Sequence, residues 1–257
     1  MATFLFQDVV FGPIHSRRLG ASLGVNLLPN NSKWCNYNCI YCECGWNTPA
    51  PQPHTIPDLP TISAALEQRL RTLREEHKLP DAITFSGNGE PTLHAQFADI
   101  IAATIALRNQ YAPQTKICVL TNATNIGKKN IGDALRKVDV TMLKLDAGND
   151  EMLQTINQPQ IKISVQELVK NMQDFGERLT IQTMFLQGKI NGKIIDNSQE
   201  NEVYNWLQHI KILRPHQVVL YSLDRATPAD HLQKIPTQRL LEIAQQVQQL
   251  GIKAAVY

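Results

Sequence analysis

Ala82-Ile-Thr-Phe-Ser86, Phe97 to Tyr111 and Lys116-Ile-Cys-Val-Leu-Thr121 read in turn as strand, helix and strand. The outer two are short apolar runs containing β-branched residues, and the middle one is too long for a strand. A strand that passes through a helix into a second strand returns parallel to the first by a right-handed crossover. This decides the fold, because the same alternation continues on both sides. Upstream, Ser22-Leu-Gly-Val-Asn-Leu-Leu28 reads as a buried strand, and Ile62, Leu66, Leu70 and Leu73 recur at helical spacing behind a Thr61 cap. Downstream come helix 130–137, strand 140–146, helix 164–175 and strand 179–186. Val203, Trp206, Ile210 and Leu213 mark a further helix and 217–223 a strand. Leu240, Ile243, Val247 and Leu250 mark the last helix, before a short final strand at 252–256.

Alternating strands and helices imply an α/β fold with a parallel sheet. Six main strands fall short of the eight that close a TIM barrel of about 250 residues. The expected architecture is a partial (β/α)6 TIM-like barrel with parallel strands, in a single domain over residues 1–257. A doubly wound open sheet is the alternative. Phe4 to Val10 suits a flanking strand, which Gly12-Pro13 breaks, and His15, Arg17 and Arg18 then follow in a loop. Pro49 to Pro60 holds five prolines and reads as an extended linker crossing a barrel face.

Composition excludes several classes. At 43% hydrophobic and 19% charged residues, the 257-residue chain can bury a large core and is not disordered. A net charge of +2 is too small to argue for nucleic acid by itself. The first residues lack the basic start and apolar core of a signal peptide, and no apolar run is long enough to span a bilayer. Five cysteines, three of them clustered, suit a reducing compartment, and the expected location is the cytoplasm.

The clustered three are Cys35-Asn-Tyr-Asn-Cys39-Ile-Tyr-Cys42, at spacing C-x3-C-x2-C in a segment without helical or strand period. Thiolates are the ligands of iron–sulfur clusters, and a [4Fe-4S] cube takes four. Three would leave one iron with an open position. Structural zinc, with Cys44 as fourth ligand, is the competing reading, though Cys42-x-Cys44 is unusually tight for it.

Strand ends carry the rest, because ligands of such folds bind there. Gly87-Asn-Gly-Glu-Pro-Thr92 follows the second strand; its glycines admit close backbone approach and Glu90 offers a carboxylate to an ammonium group. Thr121-Asn-Ala-Thr124 follows the third and reads as a helix cap or a ligand contact. In Thr141-Met-Leu-Lys-Leu-Asp-Ala-Gly148, alternation turns Leu143 and Leu145 toward helices, and Met142, Lys144 and Asp146 inward. Lys144 and Asp146 form an ion pair or a site. Gln182 and Met184, Tyr221, Asp224 and Arg225 are further inward or strand-end residues. Asp224 and Arg225 pair with each other or meet a substrate. The basic trio near the chain start reads as a solvated turn or an anion clamp.

The motif Cys35-x3-Cys39-x-Tyr41-Cys42 resembles the signature of the radical S-adenosylmethionine (SAM) superfamily. Phe11 to Val25, Ser86 to Thr92, Leu145 to Gly148 and Leu220 to Arg225 resemble the branch that includes the tRNA wyosine-base synthetases. The resemblance runs over nearly the whole chain. It implies an enzyme, oxidoreductase or lyase, with a [4Fe-4S] cluster on Cys35, Cys39 and Cys42, and with SAM chelated to the open iron. It places Tyr41, Gly87, Asn88, Gly89, Glu90, Asn122 and Asp146 at the cofactor: Glu90 on the methionyl amino group, Asn122 on the carboxylate or ribose, Asp146 on the ribose. A reduced cluster would cleave SAM to a 5′-deoxyadenosyl radical that takes hydrogen from a substrate. Arg17, Arg18, Gln182, Tyr221 and Arg225 are the substrate candidates, with Lys144 catalytic and a Schiff base one of its roles. A flavodoxin or ferredoxin would supply the electron. The wyosine enzymes with a second cluster have extra cysteines that this chain lacks. The substrate therefore stays open among RNA or nucleotide, a partner protein activated as a radical, and a peptide or small molecule.

Overall fold

The computed structural model describes residues 4–47 and 55–257. The first half of the proline-rich stretch expected as a linker, residues 49–54, falls outside them, and Leu59 and Pro60 already belong to a helix. Strand β1 (Val10–Ser16) is antiparallel to β2 (Gly20–Val25). Then follow α1 (Leu59–Glu75), β3 (Ala82–Phe85), α2 (Phe97–Tyr111), β4 (Lys116–Thr121), α3 (Lys129–Leu135) and β5 (Val140–Lys144). Two helices, α4 (Asp150–Ile156) and α5 (Val165–Gln173), precede the long β6 (Leu179–Ile190). The chain ends with β7 (Lys193–Asp196), α6 (Glu200–Leu213), β8 (Gln217–Ser222), β9 (Leu232–Lys234), α7 (Thr237–Gln249) and β10 (Lys253–Val256).

The sheet runs β1-β2-β3-β4-β5-β6-β8-β10, parallel from β2 onward. β1 and β10 are its edges, so the barrel is partial and open. Each strand from β2 to β8 in this parallel run is followed by one helix, or by the pair α4 and α5 after β5, which gives the expected six units. β7 and β9 pair with the far end of β6, outside the barrel wall.

Alternation sorts the strand residues. Leu23, Val25, Ile83, Phe85, Ile117, Val119, Leu143, Ile181, Val218 and Leu220 are fully or almost fully buried in the core. At about 25 cal/mol per Å2 of apolar area, burial of this layer against the helices stabilises the sheet. The intervening side chains, among them Leu120, Met142, Lys144, Gln182 and Tyr221, line the barrel interior.

Three expectations change. Gly12-Pro13 does not end a strand: β1 runs through it, with a register shift between Phe11 and Ile14. β1 is an edge strand, where a proline and a bulge are tolerated. His15 therefore stands in a strand, and only Arg17 to Leu19 form the turn. Asp58, not Thr61, caps α1: its side chain accepts the Thr61 N–H at 3.0 Å.

Candidate active site

The cysteine loop leaves the end of β2 and is held by backbone bonds to distant elements. Trp34 N donates to Asn88 O at 2.8 Å, and Glu90 N donates to Trp34 O at 3.0 Å. Asn38 N and Ile40 N donate to Asn157 O and Ile156 O, both at 3.0 Å. The asparagines shape the loop from within. Asn47 Nδ2 donates to Cys35 O at 2.9 Å and Tyr37 O at 3.1 Å, and Asn47 N to Asn38 Oδ1 at 2.8 Å.

Gly87 and Gly89 admit the chain itself. A Cβ on Gly89, at φ +143°, would lie 1.9 Å from Trp34 O. A Cβ on Gly87, at φ +148°, would lie 2.4 Å from Asn26 Oδ1. The space that the sequence suggested for a ligand is thus used to dock the cysteine loop onto the glycine turn. Asn88 is wholly buried and turned away: its side chain bonds Phe6 N, Phe6 O and Pro29 O, each at 2.8 Å.

Loop and turn enclose a cavity of about 290 Å3 inside the barrel. Cys35, Cys39 and Cys42 all line it, with Tyr41, Gly87, Gly89, Glu90 and Asn122 beside them, and Lys144, Gln182, Tyr221 and Arg18 also on its wall. Cys44 and Lys33 line it too. Sequence reasoning missed Lys33, Tyr37 and Asn157. The only signal for Lys33 was its place two residues before Cys35.

The thiols are set up as acceptors. Tyr37 N points to Cys35 Sγ at 3.4 Å, Asn122 Nδ2 to the same sulfur at 3.8 Å, and Asn157 Nδ2 to Cys39 Sγ at 3.5 Å. A hydrogen bond with Cys44 and the charge of Lys33 bring the Cys42 thiol down to about 6, although burial opposes them. Burial raises Cys35 and Cys39 above the ordinary thiol range. Lys33, whose Nζ bonds Gly45 O at 3.0 Å, lowers all four thiols of the loop. Among the described residues, no three His, Cys, Asp or Glu side chains gather as ligands of a single ion. The three cysteines stand instead around the cavity wall. Soft thiols with N–H donors aimed at them fit an iron–sulfur cluster. Tyr37 OH, Gln182 Oε1 and Arg18 Nη1, all on the wall, are buried without a partner, which suits a bound polar molecule.

Glu90 is buried at the cavity edge. Its Oε1 accepts from Thr92 N, Thr92 Oγ1 and Thr121 Oγ1 at 3.1, 2.6 and 2.6 Å, and its Oε2 from Asn122 N at 2.7 Å. Burial raises its pKa and these bonds oppose the rise. Oε2 keeps acceptor capacity for a cation.

Asp146 departs from expectation. β5 ends at Lys144, so strand alternation no longer applies, and the Asp146 side chain is fully buried and absent from the cavity wall. Tyr41 OH donates to Asp146 Oδ2, as does Asn157 Nδ2 at 2.7 Å, while Met184 N donates to Oδ1 at 2.8 Å. Lys144 Nζ stands 3.6 Å from Oδ2. The carboxylate thus ties β5, β6, α4 and the cysteine loop together. Burial opposes the charge of Lys144, yet Asp146 and Tyr221 raise its pKa overall, so it is an ammonium at neutral pH. A Schiff base, which needs the free amine, is disfavoured there. Asp146→Ala is expected to destabilise the cluster-free protein by about 3–5 kcal/mol, because it leaves that ammonium buried without its countercharge. Denaturant unfolding followed by circular dichroism measures it.

Along β5, β6 and β8, Lys144 Nζ and Gln182 Nε2 donate to Tyr221 OH at 2.7 and 2.8 Å. Lys144 Nζ also lies 5.0 Å from the Tyr41 ring centroid. Arg17 and Arg225 are on the rim, more than half exposed. Arg17 pairs with Asp224 at 2.9 Å and Arg225 with Glu43 at 2.6 Å. Of the two readings of Asp224 and Arg225, the mutual pair does not form.

The profile of the Radical SAM superfamily matches residues 31–197. A UPF0026 protein of Synechocystis sp. is 30% identical over 223 residues, covering 85% of this chain and 77% of the relative. A GTP 3′,8-cyclase of Corynebacterium glutamicum is 31% identical over 116 residues, covering 44% of this chain and 29% of the relative. A radical SAM methyltransferase from Sphaerobacter thermophilus superposes with a TM-score of 0.67 at 16% identity, covering 92% of this chain and 65% of that one. The chain thus spans less than two thirds of the methyltransferase and less than a third of the cyclase. No helix among the described residues is long and apolar enough to cross a membrane. Its cysteine loop, glycine turn and open parallel barrel, with a family profile covering more than half its length, show that this chain belongs to the radical SAM superfamily of enzymes.

Proposed function

We propose that Cys35, Cys39 and Cys42 hold a [4Fe-4S] cluster, that SAM chelates its fourth iron, and that the protein uses the pair to abstract hydrogen from a substrate. The observation that carries this reading is the convergence of the three thiols and the Gly87–Glu90 turn on one cavity. A cube assigns each thiolate to its own iron, so the ligands need not gather on one atom. Held by these residues, the cluster would supply an electron for reductive cleavage of SAM, and SAM would supply the hydrogen-abstracting group.

The chain's own residues bind, orient and exclude water. Glu90 Oε2 receives the methionyl ammonium. Asn122 serves both sides: its Nδ2 reaches Cys35 Sγ, and the residue lines the cavity where the carboxylate or ribose lies. Tyr41, locked by Asp146 and Asn157, forms a fixed wall. Lys144, Gln182 and Tyr221 line the same cavity and would position the substrate. Similarity to a GTP 3′,8-cyclase over part of the chain favours a nucleotide-like substrate over a protein. All five cysteines are free thiols, which suits the cytoplasm, where a flavodoxin or ferredoxin supplies the electron.

The anaerobically reconstituted protein, reduced with dithionite, is expected to convert SAM to 5′-deoxyadenosine and methionine. Chromatography against the triple cysteine-to-alanine variant measures both products. No deoxyadenosine above that background would sink the reading.

A further inference from the structure

A second chamber of about 370 Å3 adjoins the cofactor cavity, inside the open side of the barrel. The two share Arg18, Glu43, Ser86, Leu120, Met184 and Tyr221 as walls. The new chamber lies between the β1–β2 hairpin and the ends of β8 and β10, and its volume is in the range of small-molecule sites, about 300–1,000 Å3. Ser16, Ser22, Thr84 and Ser86 line it together with apolar Phe6, Phe11 and Ile14, a mixed polar and apolar lining.

Its cations are not equivalent. Arg17 and Arg225 are neutralised by Asp224 and Glu43 at the rim. Arg18 has no carboxylate partner among the described residues. Its guanidinium carbon lies 5.1 Å from the Tyr221 ring centroid, and its Nη1 is buried without any acceptor. A guanidinium stacked on one ring, bordering the chamber and without a carboxylate partner, is a donor suited to an oxyanion. The Tyr221 hydroxyl takes hydrogen bonds from Lys144 and Gln182, and the same tyrosine lines both cavities. Leaving that donor buried and unmatched is costly unless a ligand satisfies it.

We infer that the substrate is a small organic anion whose phosphate or carboxylate group binds Arg18 in this chamber while its reacting carbon reaches into the cofactor cavity past Tyr221. The inference rests on the SAM reading above, which supplies the radical, but it concerns a different ligand. Arg18 then fixes the distance between the anionic group and the reacting hydrogen, which makes it a specificity residue.

The test is calorimetric titration of the cluster-loaded, SAM-saturated protein with inorganic pyrophosphate and, separately, with succinate, at constant ionic strength. Saturable binding of one of them is expected, with the phosphate and carboxylate arms identifying the group. Arg18→Gln should weaken it at least about tenfold, and Arg18→Lys should recover part of the loss. No saturable binding of either anion, equal binding to Arg18→Gln, or anion binding that displaces SAM would overturn the inference. SAM affinity of the unaltered protein, measured on the same preparation, separates the two readings. If SAM binds and the anions do not, only the substrate inference fails.

Discussion

Alanine in place of any one of Cys35, Cys39 or Cys42 is expected to reduce bound iron from about four atoms per chain to background, whereas Cys44→Ala and Cys118→Ala keep the cluster. The effect is large because each thiol has its own place on the cavity wall, and no spare is positioned to replace it. Cys118 is buried in the sheet, and burial raises its thiol to about 12. Cys44 lines the cavity, but its thiol donates to Gly87 O at 3.4 Å and its bond to Cys42 raises its pKa. Loading also depends on pH in a stated direction. Cys35 and Cys39 are held protonated by burial and must lose those protons to bind iron, so loading weakens as pH falls. Iron and acid-labile sulfide assays on each variant, across pH, check both statements.

Gly89→Ala is expected to be as damaging without touching a ligand. The added methyl would stand 1.9 Å from the Trp34 carbonyl oxygen, and φ is +143°. The obstacle is backbone, so the cysteine loop itself has to move. Overpacking and backbone strain together cost about 2–6 kcal/mol, and the loop loses the bonds joining Trp34 to Asn88 and Glu90. Gly192→Ala is the control: its φ is +82° but nothing lies within 4 Å, so only the backbone term of about 1–2 kcal/mol applies. Unfolding midpoints of the two variants, with iron retention for Gly89→Ala, check the comparison.

Sequence carries the barrel wall because alternation is a local property. Leu143, Leu145 and Lys144 lie where their spacing puts them, and Gln182, Met184 and Tyr221 reach the same cavity. The reading fails where the strand stops. Asp146, two residues beyond the end of β5, is captured by Tyr41 and Asn157, which are 105 and 11 residues away. No local pattern announces such a pairing. Asp224 and Arg225 fail as a pair for a related reason: neighbouring residues project to different sides, and each meets a partner from another segment. β7 and β9 have four and three residues, too short for a period to show. The hairpin was hidden because Gly12-Pro13 is a strand breaker in the sheet interior and permissible only at an edge. Motif residues were legible as chemistry, but not as geometry. Gly87 and Gly89 turn out to seat the loop, and Asn88 secures the segment around Phe6.

The central claim is that three cysteines leave one iron of a cluster for SAM. Electron–nuclear double resonance on the reduced, reconstituted protein with SAM carrying a 17O-labelled carboxylate addresses it most directly. The account predicts a 17O hyperfine coupling to the cluster and a changed electron paramagnetic resonance spectrum on adding SAM, both lost in the Cys39→Ala protein. A cluster spectrum that SAM leaves unchanged, with no 17O coupling, would contradict it.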